Sequence, residues 1–180
     1  MSRRRVGTVI AYDGETLASD SMVSFGDGHF SHNTRKLFRL PSGGIIGAAG
    51  DADIRDVFRL FANAHAEKDF PTRQELNQTR TDCSILLVLP NREVFNIDIE
   101  LVDQTFDVWN SSILRVPSRI AIGHGSDYAH TILDYGGTSV DAVKAAIKRS
   151  LFCGGPVQTM TLEPVKKKKT PKAEAPKIES

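Results

Sequence analysis

Four segments near the start of the chain contain side chains and turns that could serve nucleophilic chemistry. Thr8 directly follows Gly7 at the start of a β-prone run, Asp20 ends the next run, and Lys36 lies in a third. A Gly-Ala-Ala-Gly-Asp turn then occupies residues 47–51. A threonine hydroxyl becomes a nucleophile only when a base takes its proton. Each residue alone is ordinary, a strand threonine or a solvated lysine, so only their order and spacing carry information.

Hydrophobic periodicity predicts the elements that must position these residues. One hairpin is predicted around Asp13-Gly14 and a second around Pro90-Asn91. Further strands are predicted over residues 33–40, 45–49 and 119–123, with an edge strand within 156–162. Helices are predicted after Asp51, from Tyr128 to Gly136, and after a Ser139 cap with Leu151 on its buried side. Hairpins followed by grouped helices favour an α+β fold with two antiparallel sheets face to face and helices outside.

The order of these motifs resembles the proteasome β-subunit and HslV-type family of N-terminal nucleophile hydrolases. The pattern is a Gly-Thr start, Ala-x-Asp at residues 18–20, Lys36 before apolar residues, and Gly-x-Ala-Gly at residues 47–50. Residues 120–129 are similar to the family's Gly-x-Gly strand–helix junction. The resemblance covers roughly residues 7–162, and residues 8–14 look most like short phage-encoded members. It implies a four-layer αββα sandwich.

The resemblance also implies a role for each of these residues. Thr8 would be the nucleophile, exposed by autolysis after Gly7, so residues 1–7 would be a propeptide. Its free α-amine, with a pKa of about 8, would be the base. Lys36 would be a fixed cation held by Asp20, and the Gly50 N–H would face the oxyanion. The substrate pocket implied by the resemblance is lined by Val23, Thr34, Phe38, Ala48 and Ala52.

Two features depart from the family pattern. An ideal two-residue turn at Asp13-Gly14 would pair Thr8 with Ser19 and turn Asp20 to the other face, so a bulge or longer loop is needed. The family usually has Ser at His124, and Asp and Ser where Ser150 and Cys153 stand. These accessory positions help to hold the nucleophile's amine and a water. Ser126 or His124 are the candidate substitutes.

Composition sets the domain limits and the classes of site. The chain has 180 residues and a net charge of +1, which suits one domain, here residues 8–162. Residues 163–180 contain six Lys and three Glu among Pro and Ala, and are predicted to be a disordered tail. The two Cys form no CxxC motif, and His29 and His32 have no third ligand, so no metal or other cofactor is expected.

The same composition bears on location and partners. No apolar run is long enough for a membrane span, and no secretory signal follows Arg3-Arg4-Arg5, so a cytoplasmic protein is expected, in the host cytoplasm if phage-encoded. The Lys-rich tail lacks aromatic residues for base stacking. A solubilising tail is therefore favoured over nucleic-acid binding.

The leading hypothesis is a threonine peptidase that cleaves peptides or unfolded proteins within a homo-oligomeric ring. The sequence contains no ATPase motif, so an ATPase unfoldase would be a separate partner. Three alternatives stay open. They are a proteasome-like shell or assembly protein that never cleaves its propeptide, an amidohydrolase acting on a small molecule, and a nucleic-acid-associated protein that uses its basic ends.

Overall fold

Antiparallel strands and peripheral helices make up the computed structural model, which describes residues 7–24, 30–50, 55–63, 70–105 and 107–163. The strands are β1 Val9–Tyr12, β2 Thr16–Ser19, β3 Val23–Ser24, β4 Phe30–Ser31, β5 Leu37–Arg39, β6 Ile45–Gly50, β7 Cys83–Val88, β8 Val94–Asp103, β9 Val108–Val116, β10 Ile120–Gly123 and β11 Gln158–Thr161. The helices are α1 Arg55–Asn63, α2 Arg73–Gln78, α3 Ser126–Asp134 and α4 Ser139–Arg149.

Two antiparallel sheets form the centre of the fold. One has the order β10-β1-β2-β11 and the other β5-β6-β7-β8-β9, with β3 and β4 paired separately. Ile10 and Tyr12 of β1 pack against Leu86 and Val88 of the second sheet, so this face of β1 lies between the sheets. The alternate residues of β1 pack against α3 and α4.

The outer face of the five-stranded sheet is covered by the other two helices. Val57 and Phe61 of α1 and Leu76 of α2 pack against Ile46 and Ile85. The layers are therefore helices, sheet, sheet, helices. This confirms the predicted αββα sandwich, with the apolar core divided into one cluster between the sheets and one beneath each helical layer.

The first hairpin is longer than predicted at its turn. Tyr12 pairs with Leu17 and Ile10 with Ser19, so the two-residue turn at Asp13-Gly14 is wrong; the loop is longer and shifts the register by two residues, which leaves every side chain on the same face of the hairpin. The Asp13 carboxylate accepts hydrogen bonds from backbone N–H groups within this loop. As a result, Asp20 rather than Ala18 stands opposite Val9, with its N–H bonded to the Val9 carbonyl at 3.2 Å.

Several boundaries differ from the sequence predictions. Only Leu37–Arg39 of the strand predicted over residues 33–40 is extended, so Lys36 lies just before β5. Thr138, not Ser139, caps α4, because the Thr138 hydroxyl accepts the Asp141 N–H. Leu151 is 89% exposed because α4 ends at Arg149, which corrects its predicted burial. The elements β3, β4, α2 and β9 were not predicted.

The predicted edge strand is confirmed, because β11 pairs with β2 at the end of its sheet. Within the described ranges, no helix is long and apolar enough to cross a bilayer. Asp51, Ala52, His29, residues 1–6 and residues 164–180 were assigned roles in the sequence, and they lie outside the described residues.

Candidate functional site

The side chain of Lys36 is the centre of a buried polar cluster between the two sheets. Its Nζ donates to Thr8 Oγ1 at 2.7 Å, to Asp20 Oδ1 at 2.8 Å and to the Met22 carbonyl at 2.6 Å. Lys36 is 2% exposed, Asp20 0% and Thr8 2%. The structure therefore brings together three of the predicted catalytic residues, and an ammonium's three donors are all used.

The Asp20 carboxylate is held in place by backbone groups as well as by Lys36. Oδ1 accepts the Val9 N–H at 3.1 Å, and Oδ2 accepts the N–H groups of Met22 at 3.3 Å and Gly154 at 3.1 Å. A buried carboxylate is tolerated only when it is paired and hydrogen-bonded. These bonds satisfy that condition and fix the orientation of the oxygen that Lys36 contacts.

The Thr8 hydroxyl points toward the peptide group that precedes it. Oγ1 donates to the Gly7 carbonyl oxygen at 2.7 Å while it accepts from Lys36. The Thr8 carbonyl in turn accepts the Gly125 N–H at 3.2 Å. A Cβ on Gly7 would clash with the backbone and Cβ of Phe152, so only glycine fits between Phe152 and Thr8.

Burial dominates the electrostatics of the site. It lowers the pKa of Lys36 from its ordinary value, although the adjacent Asp20 carboxylate opposes this change. Burial and the same carboxylate raise the pKa of Cys153 to about 11. Cys153 is therefore a protonated thiol at neutral pH, which does not suit a nucleophile.

Gly50, the predicted oxyanion donor, ends β6 at a φ of 155°, where a Cβ would clash with Asp82 and Cys83. The preceding Ala49 lies beside Gly123, and Gly123 also abuts the Thr8 carbonyl. This places the end of β6 near the start of β1, whereas the predicted contact of the Gly50 N–H with an oxyanion stays a prediction.

The accessory residues lie along one side of Thr8. His124, Ser126 and Ser150 line a common open cleft, and the His124 ring packs edge-on against Phe152 with their centroids 4.5 Å apart. Cys153 is buried beneath this cleft, packed against Gly125. The side chains that differ from the family pattern are thus neighbours.

The predicted substrate-pocket residues that the structure describes lie on three strands and on the segment between β4 and β5. Val23 is buried in β3, directly after the Met22 carbonyl that Lys36 contacts. Phe38 and Ala48 lie in the cluster beneath α1, where Phe38 packs on Phe58 with ring centroids 4.0 Å apart. Thr34 is half-buried and accepts a hydrogen bond from Gln158. Their role as a pocket stays a prediction.

Three contacts in the site were not predicted from the sequence. They are the Met22 carbonyl on Lys36, the Gly154 N–H on Asp20, and the Gln158 side chain, which accepts the Lys36 N–H at 3.1 Å. Backbone groups have no residue signature, so only the Gly154-Gly155 pair could have drawn notice. Among the residues that the structure describes, no group of three His, Cys, Asp or Glu could hold a metal.

The fold is similar to that of three solved structures. Eukaryotic HslV from Trypanosoma brucei superposes with a TM-score of 0.62 at 18% identity, covering 87% of this chain and 99% of that chain. BPH from Thiobacillus denitrificans in complex with epoxomicin gives 0.61 at 19% identity, covering 87% and 100%. A second structure of BPH from Thiobacillus denitrificans gives a TM-score of 0.58 at 19% identity, covering 87% of this chain and 99% of that chain.

The likeness lies in the fold rather than in overall sequence. No protein-family model matches the chain, and no curated protein matches it. The structural similarity nevertheless spans almost the whole of each solved chain. The protein therefore has a proteasome β-subunit and HslV-like fold.

Proposed function

We propose that this protein is a threonine peptidase whose nucleophile, Thr8, is released by cleavage of the Gly7–Thr8 bond. The observation that carries the proposal is the buried contact of Lys36 Nζ with both Thr8 Oγ1 and Asp20 Oδ1. A desolvated cation beside a hydroxyl favours the alkoxide, because the interaction is strong in a site without water.

In the self-cleavage step, Thr8 Oγ1 attacks the Gly7 carbonyl carbon. A C–O bond forms as the Gly7–Thr8 C–N bond breaks, and the hydroxyl proton ends on the Thr8 nitrogen. The result is an ester between Gly7 and the Thr8 side chain. The Thr8 amine is then free, and water hydrolyses the ester, which restores the Thr8 hydroxyl and releases residues 1–7 with a Gly7 carboxylate. The hydrogen bond from Oγ1 to the Gly7 oxygen supports this step, because it holds the hydroxyl against the carbonyl that it must attack.

In each later cycle, the Thr8 amine takes the proton of Oγ1 as Oγ1 attacks a substrate carbonyl. Lys36 stabilises the developing negative charge, and the Gly50 N–H donates to the oxyanion. The amine then protonates the leaving nitrogen, and water hydrolyses the acyl ester on Thr8. Val23, Thr34, Phe38, Ala48 and Ala52 would hold the residue on the acyl side of the bond.

The proposal extends to partners and location through the family resemblance. The substrates would be peptides or unfolded proteins, taken into a homo-oligomeric ring in the cytoplasm, and an ATPase would supply any unfolding. The domain would be residues 8–162, with 1–7 as propeptide and 163–180 as tail.

A non-cleaving shell protein is the second candidate, and one observation favours it. Gly7 and Thr8 are both buried, and Phe152 packs directly on Gly7. If this packing persists, the uncut chain is the final state. The two candidates differ in whether residues 1–7 are ever lost.

Intact mass spectrometry of the purified full chain separates them. If the protein is a peptidase, the wild-type chain and Thr8→Ser should both lose residues 1–7. Thr8→Ala should remain full-length. Thr131→Ala, a change at an exposed threonine of α3, is the matched control and should process normally. A wild-type chain that remains full-length and hydrolyses no fluorogenic peptide would refute the peptidase proposal.

A further inference from the structure

An open cleft of about 660 Å³ lies where β10 meets α3 and where the chain leaves α4. It is lined by His124, Ser126, Tyr128, Ser150, Leu151 and Phe152. Its volume lies within the range of pockets that hold small ligands, roughly 300–1,000 Å³. The cleft is therefore large enough to receive part of a peptide.

The cleft adjoins the Gly7–Thr8 peptide group through residues that line it. Gly123 and Gly125 flank His124, and both contact the Thr8 carbonyl. The Phe152 backbone and Cβ also abut Gly7. Any peptide whose carbonyl reaches Thr8 Oγ1 therefore has one end close to this cleft.

Large apolar side chains are displayed in the cleft rather than buried. Leu151 is 89% exposed, Tyr128 44% and Phe152 43%. The Phe152 ring packs edge-on against His124, and the Phe152 backbone N–H donates a hydrogen bond to Ser150 Oγ at 3.2 Å. Single exposed apolar side chains are common on protein surfaces, whereas a cluster of them in a concave site indicates a binding surface.

The position of the cleft indicates which part of a substrate it would hold. The residues assigned to the acyl side, including Val23, Phe38 and Ala48, belong to β3, β5 and β6. The cleft lies at β10, α3 and the end of α4. A peptide that passes Thr8 from the β5–β6 side therefore leaves toward the cleft.

We propose that this cleft binds the residue on the leaving-group side of the cleaved bond and selects a large apolar or aromatic side chain there. The inference rests on the peptidase function proposed above. Tyr128, Leu151 and Phe152 supply the apolar contacts, and Asp127 and Arg149 place charges of both signs at the rim.

The test uses internally quenched peptides that share one acyl portion and carry either Phe or Ser as the first leaving-side residue. Wild type should show kcat/KM about tenfold higher for the Phe peptide, the effect expected when an aromatic side chain is partly buried. Phe152→Ala and Tyr128→Ser should each reduce this ratio to about two. Leu114→Ser, at an exposed leucine of β9, is the control and should keep the wild-type ratio.

The two kcat/KM values in each ratio come from the same variant, so a smaller folded fraction lowers both equally. A loss of stability therefore does not change the ratio. An unchanged ratio in both cleft variants would overturn the inference. So would a shift in oligomeric state on sizing without a change in the ratio, because the cleft would then be an interface between copies of the chain.

A binding assay distinguishes failure of this inference from failure of the peptidase proposal. A fluorescein-labelled peptide with an N-terminal Phe should raise fluorescence anisotropy with wild type and with Leu114→Ser, and less with Phe152→Ala. Binding without hydrolysis would refute the peptidase and leave a peptide-binding cleft. The absence of both binding and preference would refute the cleft.

Discussion

Lys36→Met tests whether the buried cation holds the site together. Methionine has a similar unbranched length and fills the space, but it cannot donate to Thr8, Asp20 or Met22. The Asp20 carboxylate, 0% exposed, then loses its only ion-pair partner among the described residues. Removing one partner of a buried pair costs about 3–5 kcal/mol. Because the Asp20 carboxylate still accepts hydrogen bonds from backbone N–H groups, we expect a loss of stability at the lower end of this range, about 3 kcal/mol.

That loss is large beside the total stability of a domain, roughly 5–15 kcal/mol. For a chain of this size it corresponds to a fall in Tm of roughly 6–12 °C. Urea unfolding followed by circular dichroism gives the free energy, and thermal scans give Tm. Lys144→Met, at an exposed lysine of α4, is the matched control and should change the free energy of unfolding by less than about 0.5 kcal/mol.

The same variant should retain residues 1–7 under conditions in which the folded fraction is still high. Lys36→Met combined with Asp20→Asn removes both charges and should recover part of the stability without recovering cleavage. If Lys36→Met unfolds like the control and still loses residues 1–7, the cation neither supports the fold nor activates Thr8, and the mechanism is wrong.

Three further predictions concern the surroundings of the site. Gly155→Ala should lower the free energy of unfolding by about 2 kcal/mol or more, because the φ of Gly155 is 76° and a Cβ there would lie 2.6 Å from the His32 carbonyl oxygen. Gly136→Ala is the matched control, since its φ is 82° but the space around it is open; it should cost about 1 kcal/mol in the same urea titration. Burial alone would raise the pKa of Asp13, but backbone hydrogen bonds lower it below its ordinary value. The stabilisation is therefore complete above about pH 4 and is lost as pH falls through the lowered pKa, and Asp13→Asn should flatten the pH dependence of Tm in that range. Cys153, 5% exposed with a pKa of about 11, should resist a thiol reagent at pH 8 in the native chain and react in urea, and rapid native labelling would contradict its burial.

The non-cleaving shell protein and the peptidase share one fold, so the residues near Thr8 must distinguish them. HslV and BPH are similar to this chain over its whole domain, but at 18–19% identity. A fold supports many activities, and activity depends on the site. Of the three residues that differ from the family pattern, His124 and Ser150 line the cleft and Cys153 is buried beside Gly125, so the peptide assays test the effect of these differences.

The sequence alone determined the order of most elements and the residue types of the site. β-Prone runs on either side of a turn dipeptide predicted the two hairpins, and helical spacing predicted three of the four helices among the described residues. The short α2, of six residues, is stabilised by a Thr72–Glu75 capping box and by Leu76 in the core, which is too little sequence for a periodic signal. The irregular pattern of β9 gave no signal either.

Only the tertiary structure decided how those residue types meet. The loop at Asp13 fixes the register of the first hairpin, and a register change of one residue would turn Asp20 away from Lys36. The Met22 carbonyl and the Gly154 N–H complete the site through backbone atoms that every residue possesses, so no residue pattern could indicate them. The burial of Lys36 has the same origin, since a lysine loses its solvent only when separate segments close around it.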